Sequence, residues 1–221
     1  MISSKKSQKL LKGKNLFCNF LGMDIGLGDI LVLDKQNHSI YGNIKDFIPG
    51  LDLEKLKKKG PEMELSFQSE AKIGIEFAGN ARGQMIKADE VSIKFNSNKT
   101  TFINLSGLSH QVLPIGSFEE SLRNFWNEKG FNQGSYKRRY QLVTSIIRAE
   151  SGILIYSKDS NNIIRLKSTT GSKLFTNGDL VSGNLDISNS KKEILHIKSN
   201  DPFSPMYGTQ KMDGKGRFVA A

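Results

Sequence analysis

The chain of 221 residues has a single cysteine, Cys18, so no intramolecular disulfide can form. One thiol fits a reducing compartment. Histidine is equally scarce. His38, His110 and His196 stand apart, and none falls at metal-ligand spacing from another His, Cys or carboxylate. Cys18 has no His nearby in sequence to activate it. No run approaches the roughly 18 apolar residues of a transmembrane helix. Neither a Walker loop nor a Gly-x-Gly-x-x-Gly turn is present, and Gly26 and Gly28 precede a strand instead of following one. These absences leave no catalytic constellation, no metal site and no cofactor site to name. The chain is expected not to be an enzyme.

Acidic residues are also in deficit: 22 Asp and Glu against 32 Lys and Arg, a formal net charge of +10. Such a balance favours an anionic partner, a membrane face or a nucleic acid. Residues 1–15 concentrate it. Lys5, Lys6, Lys9, Lys12 and Lys14 precede any acid and form a candidate anchor for anionic lipid, at about 1 kcal/mol per cation near the surface. The short apolar patch behind them, Leu16 to Met23, is broken by Asn19 and followed by no small-residue cleavage site, so no signal peptide is expected.

What the chain does have is alternation. From Met63 to Ala81 one set of positions reads Met63, Leu65, Phe67, Ser69, Ala71, Ile73, Ile75, Phe77, Gly79, Ala81, without a charge. The interleaved set carries Glu64, Glu70, Lys72 and Glu76. Period two is the strand period, although Ile73 with Phe77 and Ala71 with Ile75 also stand at helical spacing. After a polar turn near 80–84, Val91, Ile93 and Phe95 resume the alternation, so 63–81 and 85–97 make a candidate long hairpin. Segments 140–158 and 181–199 make a second candidate amphipathic pair. A membrane-barrel strand needs about 9–11 residues with one apolar and one polar face.

Elsewhere the pattern predicts a strand over 29–34 and another near Ile40. Asn43 caps a short helix through Ile48, and Asp52 caps a second whose last turn holds Lys57, Lys58 and Lys59 before Gly60 and Pro61. Ser117 to Gly130 reads as a helix with a Ser117/Glu120 capping box and an apolar stripe of Phe118, Leu122, Phe125 and Trp126. Lys137, Arg138 and Arg139 between Tyr136 and Tyr140 suit phosphate contact with base stacking, and carry the alternative reading of a basic nucleic-acid-binding domain. In 200–221, Pro202, Pro205, Gly208, Gly214 and Gly216 are expected to break regular structure, while Phe203, Met206, Tyr207 and Phe218 remain able to pack.

Three stretches, GDILVLDKQNHSIYGNIKDFI (28–48), DEVSIKFNSN (89–98) and YQLVTSIIRAESGILIYSKDSNN (140–162), give the chain an order of elements that resembles the bacterial gasdermins, short prokaryotic relatives of the animal pyroptosis proteins. The similarity spans roughly residues 20–200 and is one of pattern and order. The resemblance implies an α+β fold: a twisted, mostly antiparallel sheet with surrounding helices and long amphipathic hairpin segments. It implies a pore-forming domain over 1–199 and a short autoinhibitory tail over 200–221, held through Phe203, Met206 and Tyr207. It further implies a protein that is cytoplasmic when inactive, released by a partner protease, and then assembled into a homo-oligomeric β-barrel in the anionic inner membrane during antiphage defence and cell death. The membrane-inserting face would comprise Leu65, Phe67, Ile73, Ile75, Phe77, Val91, Ile93 and Phe95. Cys18 would be the lipidation candidate, and no nucleic acid would be bound.

Overall fold

A computed structural model describes residues 16–19, 23–33, 38–61, 73–78, 90–97, 100–134, 136, 139–158, 160–168, 175–176, 179–180, 185–189, 194–199 and 202–221. In chain order the strands are β1 (Leu16–Cys18), β2 (Asp29–Leu33), β3 (His38–Asn43), β4 (Lys58–Lys59), β5 (Ile73–Ala78), β6 (Glu90–Phe95), β7 (Thr100–Ser106), β8 (Ser109–Val112), β9 (Tyr140–Ala149), β10 (Ser151–Ser157), β11 (Asn162–Ser168), β12 (Phe175–Thr176), β13 (Asp179–Leu180), β14 (Leu185–Asn189), β15 (Ile194–Ser199), β16 (Phe203–Met212) and β17 (Phe218–Ala220). Two α-helices, α1 (Leu53–Leu56) and α2 (Glu119–Glu128), and a 3-10 turn at Ile44–Asp46 complete the described elements. Every strand pair whose register is described is antiparallel. The class is α+β with antiparallel sheet predominating.

Two compact units share the chain. Met1–Met63, Ser109–Arg148 and Ser204–Ala221 form the first; Glu64–Leu108 and Ala149–Phe203 form the second. The first is organised on a sheet of order β1-β16-β9-β2-β3, with β17 on β16, and β8 joining β4 to β9. Strand period two sorts its neighbours onto two faces. Ile30 and Leu142 pack with Leu113, Leu122, Phe125 and Trp126, whereas Leu31 and Val143 pack with Phe17, Ile25 and Tyr207.

Helix α2 buries the stripe its sequence announces: Phe118, Leu122, Phe125 and Trp126 are all buried, and Trp126 meets Phe131 and Phe218 edge-on at 5.2 and 5.3 Å. Gly130 ends it at φ +69°. The capping box is absent. The cap is Phe118, with no side-chain hydrogen bond, because the helix starts one residue later than Ser117 requires and the Phe118 ring is drawn into the core. Asn43 and Asp52 do cap, accepting from Lys45 N, and from Glu54 N and Lys55 N. Helix α1 is shorter than its lysines suggest: Lys57 is already extended, and Lys58 and Lys59 pair with Val112 and Gln111.

The segment 203–221 departs most from expectation. It is not irregular. β16 runs ten residues and lies between β1 and β9. Pro205 is tolerated because it serves only as an acceptor, taking the Asn19 N–H at 2.8 Å just past the last β1 pair, Cys18 with Met206. Gly208 pairs with Leu16, and Thr209 donates to Gln141 at 2.6 Å within the buried sheet. Glycine does its turn work at Gly216, φ +75°, between β16 and β17, where Asp213 accepts from Lys215 N, Arg217 N and the Arg217 guanidinium.

The second unit contains two larger sheets, β15-β10-β7 and β14-β11-β6-β5, and the small β12–β13 pair. Residues 140–158 are two strands, broken at the exposed Glu150. At the start of β10 the chain bends through Gly152, whose φ of +149° no L side chain adopts comfortably.

Candidate functional site

The four-stranded sheet of the second unit is the feature with functional shape. β5 pairs β6 with Ile73 opposite Phe95, Ile75 opposite Ile93 and Phe77 opposite Val91. The positions expected to share an apolar face on 73–77 and 91–95 therefore do share one, and the extended form prevails over the helical spacing in 73–78. Ile93 and Phe95 are fully buried, while Lys94 between them is exposed. Leu65 and Phe67 lie outside the described residues, as do the five N-terminal lysines.

β11 continues the same sheet. Ile164 stands opposite Ile93 and Leu166 opposite Val91, and Ile164 and Leu166 are fully buried. Arg165 and Lys167 alternate with them and are exposed. β14 then pairs β11, with Ile187 opposite Leu166 and Asp186 opposite Lys167. The sheet thus holds two hairpins, β5–β6 and β11–β14, with one face buried at Ile93, Phe95, Ile164 and Leu166 and the other carrying Lys94, Arg165 and Lys167.

The second candidate pair is borne out in part: among the described residues Ser151–Ser157 pairs antiparallel with Ile194–Ser199. Its amphipathic character is corrected. β10 is no amphipathic strand: Gly152 to Ser157 is buried on both faces. An unbroken apolar run, Ile153-Leu154-Ile155-Tyr156, is the mark of a strand covered on both sides. The amphipathic second hairpin is β11–β14, and its signal, Ile164-Arg165-Leu166-Lys167, stands in the sequence between 140–158 and 181–199.

Cys18 is buried in β1, 3% exposed, and burial pushes its thiol up to about 12. In this fold the thiol is covered by the residues around β1. Met206 and Tyr207 are buried in β16 and Phe203 is half-buried. Tyr207 stacks on Phe17 at 5.8 Å, and burial raises its hydroxyl pKa. The expected docking residues are thus a strand of the main sheet, hydrogen-bonded on both edges.

The aromatic-basic cluster is described only in part. Tyr140 is stacked on Phe131 at 3.8 Å, and Arg139 lies 5.9 Å over the Tyr136 ring. Tyr136 remains exposed; Lys137 and Arg138 lie outside the described residues.

An open cleft of about 730 Å³ in the first unit is lined by Asn43, Lys45, Asp52, Glu54, Lys57 and Arg148 among others. Its rim acids are already matched, Glu54 to Lys57 and Asp52 to Lys55 at 3.2 Å. Two of its lining residues, Gly26 and Asn43, donate to Asp29, from Gly26 N at 2.6 Å and Asn43 Nδ2 at 2.8 Å. Burial raises its pKa against those two hydrogen bonds, which lower it. Among the described residues no group of three His, Cys, Asp or Glu could hold a metal ion, and no helix is long and apolar enough to cross a membrane.

His110 acquires partners that sequence spacing hides. Nε2 lies 2.7 Å from Ser145 Oγ and Nδ1 3.1 Å from Pro61 O. Two neighbouring amides are engaged, Gly60 N on His110 O and Leu113 N on Thr144 O. The imidazole is a clamp between β8, β9 and the Gly60–Pro61 link. It lies so close that a Cβ on Gly60 would stand 2.7 Å from its Cε1 and nearer still to Nδ1. Gly60→Ala is expected to destabilise the protein by about 1–3 kcal/mol in urea denaturation. Gly116→Ala, with nothing within 4 Å, serves as the neutral control.

No protein-family model matches this chain, and no curated protein matches it.

Proposed function

We propose that the chain is an autoinhibited pore-forming protein of gasdermin type. On release it oligomerises on an anionic inner membrane, permeabilises it and kills the cell in antiphage defence. The observation that supports this reading is the amphipathic sheet β14-β11-β6-β5. Its two hairpins each carry an apolar face and a charged face, as barrel strands with one side to lipid and one to water require. Closing such strands between subunits satisfies every backbone hydrogen bond, which a bilayer demands. The net charge of +10 supplies attraction to acidic lipid.

Autoinhibition is assigned to β16. Deleting 203–221 outright would strip a strand from between β1 and β9, so release is better reproduced by a cut than by a truncation. Cleavage between Ser199 and Phe203 would turn the β16 contact from intramolecular to intermolecular and remove its effective-concentration advantage. An engineered protease sequence placed there is expected to leave the folded chain silent. After cutting, the protein should release dye from vesicles of anionic lipid. Intact, folded, cut protein that releases no dye at micromolar concentration overturns the proposal. Salt-sensitive retardation of RNA or DNA in place of leakage would favour the basic nucleic-acid-binding alternative.

A further inference from the structure

We infer that the two hairpins pass from the soluble fold to the membrane as one pre-zipped, four-stranded sheet, with the β6–β11 ladder kept intact; this rests on the pore-forming reading. β6 and β11 belong to different hairpins, yet they pair over Phe95 with Asn162 through Glu90 with Lys167. Register also fixes the ends. Ala78 stands opposite Glu90, Glu90 opposite Lys167, and Ser168 opposite Leu185. The connections of both hairpins, 79–89 and 169–184, therefore leave the sheet at the same end. Two tips at one end can advance together without any strand reversing.

Separate insertion would break the β6–β11 ladder and turn its N–H and C=O groups toward lipid, where each unmatched group is penalised. Retaining it leaves only the outer edges, β5 and β14, to be closed. The described ladders are shorter than a membrane-crossing strand, so the sheet must also lengthen; an intact centre is a template on which the ends can grow in register. That register is marked by charge. Glu90, Lys167 and Asp186 occupy adjacent positions across β6, β11 and β14, alternating in sign as favourable cross-strand neighbours do. A slip by one residue would put these charges on the apolar face.

The test is a cross-link in the cleavable full chain. Ser92→Cys with Arg165→Cys joins Cα partners of β6 and β11, and Lys94→Cys with Ile163→Cys is a second pair two residues along, should the first fail to oxidise or fold. Mass spectrometry verifies the disulfide. After cutting, oxidised protein is expected to release dye within about two-fold of its reduced form, since nothing that must move has been tied. Leakage that appears only on reduction, with unlinked cut protein active, overturns the inference and leaves the pore reading standing. A cut wild-type protein that never leaks overturns both. As an independent readout, Lys167→Glu sets a third acid in the Glu90–Asp186 row and is expected to slow leakage about ten-fold, with Glu90→Lys in the same chain restoring it. Loss without restoration in the folded double variant counts against the charge-set register.

Discussion

Ile93→Asp is expected to unfold the second unit, and Lys94→Asp, one residue on, to leave it folded. Ile93 is fully buried, opposite Ile75 and Ile164 on its two neighbouring strands. A carboxylate there would be shut off from water. An uncompensated buried charge costs about 3–5 kcal/mol, a large share of the roughly 5–15 kcal/mol by which a domain is stable. Lys94 is exposed, and a change there is expected to stay within about 0.5 kcal/mol. Soluble yield and urea midpoints read the contrast. Equal losses at 93 and 94 would refute the face assignment. The same polarity carries into the pore proposal. Ile73→Asp and Phe77→Asp, on the β5 positions opposite Phe95 and Val91, should abolish leakage. A charge on a lipid face costs about 2–4 kcal/mol at mid-membrane, somewhat less for an acid. Glu76→Gln, opposite Ser92 on the other face, should leave leakage largely intact.

The second large effect is expected at Gly152. Its φ of +149° belongs to glycine, and a Cβ there would stand 2.8 Å from the Leu105 Cα and closer still to the Asn104 carbonyl oxygen. Both obstacles are backbone, so neither can swing aside. Backbone strain of about 1–3 kcal/mol joins a steric term of about 1–3 kcal/mol, and Gly152→Ala should lose about 3 kcal/mol or more in chemical denaturation. A loss under about 0.5 kcal/mol would mean that β10 does not approach β7 this closely through the bend. The consequence reaches the unit that holds the candidate site, because β10 supplies Ile153 and Ile155 to its buried layer.

Much of this fold is legible wherever a local rule acts alone. The apolar run Ile30 to Leu33 places β2, and period-two alternation places the β5–β6 hairpin, whose face assignment puts Ile75 on the same side as Ile93, as the register has it. Spacing at i, i+4, i+7 and i+8 finds α2 and its buried stripe. Side-chain oxygens at Asn43 and Asp52 mark two caps, since the amides they satisfy lie within three residues. In each case the physics that decides the structure is short-ranged.

What fails depends on partners distant in sequence. Pro205 and Gly208 read as breakers, because a strand between two others is stabilised by ladders from Leu16–Cys18 and from β9, nearly two hundred and about sixty residues away. The His110 clamp needs Ser145 and Pro61, which only the β4-β8-β9 arrangement brings together. Segment 140–158 reads as an amphipathic partner because apolar content does not say how many faces are covered; burial of β10 on both sides does. The sequence by itself determined the basic surplus, the absence of disulfide chemistry, the strand character and the two-faced hairpin at 73–95, all consequences of residue type and period. Only tertiary structure decided that β11–β14 is the second hairpin, that its tips leave with those of the first, and that β16 lies inside a sheet, since strand adjacency is set by which long-range ladders close and not by local preference.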